Sequence, residues 1–111
     1  MKDLDLLQEI QKIRKKGVNV ALVTVVETRG PTPRGEGAKM AILSSGTCLG
    51  SIGGGCVEAG IKTTALKILI KDRNNQTVTT HLDNELGAEN GDVCGGTMTM
   101  LLEYLSGMDK D

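Results

Sequence analysis

Along residues 4 to 16, Leu4, Leu7, Ile10 and Ile13 recur at every third position with Leu6 alongside, while Gln, Glu, Lys and Arg fill the other face. That spacing predicts an amphipathic helix, with Asp3 as its N-cap and Gly17 as its stop. From Val18 to Thr28 the chain reads VNVALVTVVET, a near-continuous β-branched run. A strand covered on both faces has this pattern, which places it at the centre of a sheet. Gly30-Pro31-Thr32-Pro33-Arg34-Gly35-Glu36-Gly37 then breaks all regular structure. Two further strands are predicted over 38–43 and 47–51, joined by a Ser44-Ser45-Gly46 hairpin turn. After Gly50-Ser51-Ile52-Gly53-Gly54-Gly55-Cys56, a helix is predicted from about Val57 to Lys71, with Ile61, Ala65, Ile68 and Leu69 as its buried stripe. Residues 76–82 alternate like an exposed strand, 83–96 read as a polar, glycine-rich loop, and 97–104 form a last strand. The tail from Ser106 is expected to fray. The fold class is therefore mixed α/β (α+β), a single layer of about five strands with two main helices. We read 1–111 as one domain, with its helix over 1–16, a core over about 18–104 and the tail over 106–111.

Composition sharpens this picture at two points. The chain of 111 residues has one Tyr, no Phe and no Trp, so Leu, Ile, Val, Met and Ala must fill the core. Sites built on base stacking or an aromatic cage are excluded for the same reason. Thirteen Lys and Arg against 14 Asp and Glu give a net charge of −1, without the basic excess on which nucleic-acid binding rests. The one basic run, Arg14-Lys15-Lys16, closes the first helix, where cations complement the helix dipole. The acidic start, the absence of a membrane-length apolar run and an odd count of 3 cysteines point to a cytoplasmic protein with reduced thiols and no membrane contact.

The placement of glycine carries the candidate chemistry. Three segments, 30–37, 50–55 and 91–96, hold 10 of the 15 glycines. Such clusters mark either tight turns or close backbone approach to another group. Gly53-Gly54-Gly55-Cys56 leads into a helix whose free N–H groups and dipole suit an anion, although neither the nucleotide P-loop nor the dinucleotide fingerprint is present. A helix N-terminus lowers a thiol pKa, so Cys56 is either a reactive thiolate or a small buried apolar residue. Cys94 precedes Gly95-Gly96 and faces the same site if that loop closes over the helix start. Cys48, placed mid-strand, is expected to pack. Arg34 between Pro33 and Gly35 is either a bidentate partner for phosphate or carboxylate or a plain surface arginine. Lys39, Glu58 and Glu27 flank the same loops. A single histidine, His81, and the lack of Cys-x-x-Cys exclude a structural zinc site.

Thr28-Arg29-Gly30 with Pro33-Arg34, Gly37-Ala38-Lys39-Met40, the block GSIGGGCVEA at 50–59, and Cys94-Gly95-Gly96 together resemble the N-terminal domain of the XdhC/CoxI family. The resemblance runs from about Val18 to Glu103, and its blocks stand in the family's order. It implies an accessory chaperone, without turnover of its own, that binds molybdenum cofactor as cargo. Such a chaperone assists sulfuration of the cofactor and its insertion into an apo-enzyme of the xanthine dehydrogenase or CO dehydrogenase type. Carried over by position, Gly53, Gly54 and Gly55 approach the phosphate or pterin of molybdopterin, and Gly95 and Gly96 of the third block count among the cofactor-binding residues. Cys56 and Cys94 lie near molybdenum and Arg34 faces the anionic groups, while Lys39 and Glu58 are the flanking residues that would complete the pocket.

Two positions depart from the family pattern. Pro31 stands where a small hydroxyl residue is usual, which stiffens the first loop, and Asp92 stands where an apolar residue is more common. Many family members also continue into a Rossmann-like domain. The expectation is therefore a homodimer or heteromer, with a separate Rossmann-domain chain or a cysteine desulfurase among its partners. Two other functional classes are open: a sulfur-transfer enzyme in which Cys56 carries the sulfur, and a docking or regulatory module without a cofactor site.

Overall fold

The computed structural model describes residues 2–53, 55–82 and 95–108, with Gly55 and Cys56 described by their backbone alone. The elements run α1 (Asp3–Lys15), β1 (Val20–Arg29), β2 (Lys39–Leu43), β3 (Cys48–Gly50), α2 (Gly55–Lys67), a π-helical extension (Ile68–Asp72), β4 (Gln76–His81) and β5 (Thr97–Leu105). The 5 strands form one antiparallel sheet in the order β3-β2-β1-β5-β4, an α+β fold.

The β-branched run of β1 takes the central position that its composition predicts, and both of its faces are covered. Ala21, Val23 and Val25 point into a cluster with Met40, Ile42, Met98, Met100 and Leu102, closed by Ile61, Ala65, Ile68 and Leu69. The predicted stripe of the second helix is thus the buried one. Val20 and Leu22 point the other way, against Leu6 and Ile10 of α1 and Ala41 of β2. With no Phe or Trp available, three methionines, Met40, Met98 and Met100, lie fully buried in the larger cluster, and the one tyrosine, Tyr104, packs at its edge partly buried.

Four expectations need correction. The stripe of α1 is Leu6, Ile10 and the half-buried Ile13, a spacing of 4 and 3, whereas Leu4 and Leu7 are exposed by 65% and 42%. A helix repeats every 3.6 residues, so a strict three-residue series drifts off the buried face. Asp3 is the first helical residue instead of the cap, and the N-cap position, Lys2, makes no side-chain cap bond. Cys48 opens the edge strand β3 and is exposed; being apolar in character does not bury a residue on an edge.

The tail is the fourth. Residues 106–108 are tied down: Arg14 Nε donates to the Ser106 carbonyl at 2.8 Å, Gly107 N–H to Asn19 Oδ1 at 2.7 Å, and Met108 N–H to the Arg14 carbonyl at 2.8 Å. No helix of the described residues is long and apolar enough to cross a membrane.

Candidate functional site

Strand direction decides where the loops lie. β1 ends at Arg29, beside Thr97 at the start of β5; β2 begins at Lys39, opposite Thr24 of β1; and β3 ends at Gly50, opposite Met40. The connections after β1, after β3 and before β5 therefore emerge from one end of the sheet. The Ser44–Gly46 turn and the anchored tail occupy the opposite end.

Steric contacts show how closely the three segments approach. A Cβ on Gly96 would stand 2.2 Å from the Pro31 carbonyl oxygen and 2.6 Å from that of Arg29. A Cβ on Gly53 would stand 2.6 Å from Pro33 Cγ, and Gly53 has φ +142°. Only glycine permits both approaches. Arg34 Nη1 also donates to the Ser51 carbonyl at 3.2 Å. The first loop thus lies between the other two, touching Gly53 on one side and Gly95-Gly96 on the other. Leu82 N–H donates to the Gly96 carbonyl at 2.8 Å, and Gly95 N–H to the Leu82 carbonyl at 3.3 Å, which pins the end of β4 to the third loop.

The Ile52 and Gly53 N–H groups are engaged, so of the free donors expected over Gly53–Cys56 the first is already taken. Glu58, one turn into α2, accepts the Ile52 N–H at 3.1 Å, the Gly53 N–H at 3.3 Å and the Ser51 hydroxyl at 2.5 Å, all on Oε2. Ser51, which composition and motif reading did not single out, is thus the hub of the second loop. Its signal in the sequence is its place between Gly50 and Gly53, where a hydroxyl can bond locally to backbone.

Lys39 is half-buried, donates to the Gly37 carbonyl at 3.1 Å and lies 3.5 Å from Asp3 Oδ2. It joins the first loop to α1 on the sheet face opposite α2. Beside it a cleft of about 280 Å³ is lined by Asp3 and residues 34–38. Glu27 is exposed and paired with Arg29 at 2.9 Å. His81 is exposed at the end of edge strand β4, with Nδ1 3.3 Å from Thr97 Oγ1. Cys56 occupies the first turn of α2. Cys94 and Gly54 lie outside the described residues, as do Asp92 and most of the 83–96 loop. Among the described residues no cluster of three or more His, Cys, Asp or Glu is arranged to hold a metal ion.

Comparison with known proteins matches this geometry to a family. The chain is 27% identical over 99 residues to the uncharacterized protein YqeB of Escherichia coli K12, covering 89% of this chain and 18% of that protein. It is 34% identical over 92 residues to the molybdenum cofactor insertion chaperone PaoD of the same organism, covering 80% of this chain and 27% of PaoD. Among solved structures, a xanthine dehydrogenase from Bacillus halodurans superposes with a TM-score of 0.78 at 30% identity, over 94% of this chain and 30% of that one. The chain thus spans less than a third of the length of each. The model of the XdhC and CoxI family matches residues 13–81, which include the GSIGGGCVEA block and stop short of Cys94-Gly95-Gly96. The chain belongs to the XdhC and CoxI family.

Proposed function

We propose that this chain is an accessory protein of molybdenum hydroxylases that holds molybdenum cofactor at the end of the sheet where its three glycine-rich segments meet. The observation that carries the reading is the contact of Pro33 with Gly53 and of Pro31 with Gly96, which brings three motif-bearing segments into one place. Family membership and the likeness to PaoD, itself a molybdenum cofactor insertion chaperone, support it.

The residues present suit such a cargo. Arg34 is exposed and offers a planar, permanently charged fork to phosphate. The start of α2 brings the helix dipole and the thiol position Cys56 to the same end of the sheet. Thiolates are apt partners for a soft metal centre, and we assign Cys56 and Cys94 to its vicinity. The Ile52 and Gly53 N–H groups are taken by Glu58, and we assign the approach to the phosphate or pterin to Gly54 and Gly55, as the family block implies. Lys39 supplies positive charge near the first loop.

The finer reading follows the same line. The chain acts as one domain in the cytoplasm, without turnover of its own, and passes the cofactor to an apo-hydroxylase. Sulfuration of the cargo engages a cysteine desulfurase, and a second copy or a Rossmann-domain chain completes the concave surface around the cofactor.

Anaerobic purification, addition of molybdenum cofactor and measurement of retained molybdenum and pterin test the proposal. Stoichiometric retention by wild type, weakened by Cys56→Ala and by Arg34→Ala, is expected. No retention by wild type, alone or with a partner hydroxylase, refutes it. Undiminished retention by Cys56→Ala with complete loss of sulfur transfer moves Cys56 from cargo ligand to sulfur carrier.

A further inference from the structure

The second loop is gripped from two sides by side chains of different elements. Its Ser51 carbonyl accepts from Arg34 Nη1 at 3.2 Å, and its Ser51 hydroxyl donates to Glu58 Oε2 at 2.5 Å. The same carboxylate oxygen accepts the Ile52 N–H at 3.1 Å, and shares the Gly53 N–H between itself at 3.3 Å and Ser51 Oγ at 3.2 Å. A carboxylate oxygen offers about two lone-pair directions, so three convergent donors use the capacity of Oε2. These donors sit at 51–53, ahead of the first helical residue Gly55. What the carboxylate fixes is therefore the loop, and α2 serves as its post. Pro33 against Gly53 closes the arrangement from the side of the first loop.

We infer that Glu58 is a positioning residue: it holds Ser51–Gly53 in place so that the Ser51 carbonyl remains the acceptor that orients Arg34. Its consequence for cargo rests on the proposed function; the holding of the loop does not. A carboxylate beside an anionic cargo is repulsive unless its charge is engaged, and here backbone and hydroxyl donors engage it. Removing Glu58 acts on the cargo through Arg34, because the loop that anchors the guanidinium is released.

The test uses the full chain without cargo first. Amide hydrogen exchange is followed by NMR at Ile52 and Gly53 in wild type, Glu58→Ala and Glu58→Gln, with Ile61 and Ala65 of α2 as references. Glu58→Ala is expected to speed exchange at Ile52 and Gly53 by about tenfold or more, the scale of a hydrogen bond to a charged acceptor. Glu58→Gln keeps a carbonyl acceptor and gives a smaller acceleration, and it carries the test if the alanine variant does not fold. Unchanged exchange at both amides overturns the inference, as does equal acceleration throughout α2, which is the behaviour of a simple helix cap. Retention of molybdenum cofactor is then compared for Glu58→Ala, Arg34→Ala and the double variant. Losses that do not add support action through Arg34; additive losses make Glu58 an independent contact and overturn it. If wild type retains no cofactor, the proposed function fails, while the exchange result still decides the role of Glu58.

Discussion

Replacing Gly96 with alanine is the sharpest probe of the way the first and third loops meet. The new Cβ would lie 2.2 Å from the Pro31 oxygen, 2.6 Å from the Arg29 oxygen and 2.9 Å from the Pro31 carbonyl carbon, all of them backbone atoms. Ordinary contact needs about 3.5 Å, so one of the two chain segments must move by roughly 1 Å. Overpacking of this kind costs about 1–3 kcal/mol. The movement also stretches the Leu82 N–H bond to the Gly96 carbonyl, now 2.8 Å, and the loss of that bond adds about 1 kcal/mol. A total of about 2–4 kcal/mol corresponds to a Tm lower by roughly 10 °C or more for a chain of this size. Urea unfolding with Gly95→Ala and Gly35→Ala as controls measures it. Gly95 has φ +82° and open space around it, so its alanine variant carries backbone strain alone, about 1 kcal/mol. Gly35 has neither positive φ nor a neighbour within 4 Å, so its variant stays within about 0.5 kcal/mol of wild type. A Gly96→Ala protein within about 0.5 kcal/mol of wild type, or no less stable than Gly95→Ala, refutes the close approach of the two loops.

Other positions give independent checks. Leu102→Ala empties a fully buried site and is expected to cost about 2–5 kcal/mol in urea unfolding. Arg73, which closes the π-helical extension at φ 50°, is expected to stabilise the protein by about 1 kcal/mol on replacement by glycine, read as a higher urea midpoint. Asn19→Ala removes the acceptor of the Gly107 N–H; a loss of about 1 kcal/mol and faster carboxypeptidase trimming of the tail are expected, and unchanged trimming counts against the anchored tail.

Much of the framework is legible from residue pattern because local periodicity reports burial. The valine run of β1 states that both faces are covered, and apolar neighbours on either side, Met40 and Met100 on one and Leu6 on the other, cover them. Ile61, Ala65, Ile68 and Leu69 mark the buried side of α2 and its π-helical extension for the same reason. What pattern does not carry is contact between distant parts of the chain. The tail looks free in sequence, yet its bonds join positions 88 and 92 residues apart. The exposure of Cys48 depends on β3 being an edge, and strand order has no signature in the residues of β3 itself. The candidate site divides in the same way. Glycine clustering announces the three segments, whereas their meeting follows from antiparallel strand direction, and the engagement of Ile52 and Gly53 by Glu58 follows from a side chain 5 to 6 residues away folding back on the loop.

The measurement that bears most directly on the meeting of the three loops around a cargo is an anaerobic titration of the isotopically labelled 111-residue chain with molybdenum cofactor, followed by backbone amide NMR. The perturbed signals are expected to fall together in three stretches, Arg29 to Gly37, Gly50 to Glu58 and Gly95 to Thr97. Ser44–Gly46 and the Ser106–Met108 tail, at the other end of the sheet, stay unchanged. Perturbation confined to one of the three stretches, or centred on the tail end, contradicts that meeting.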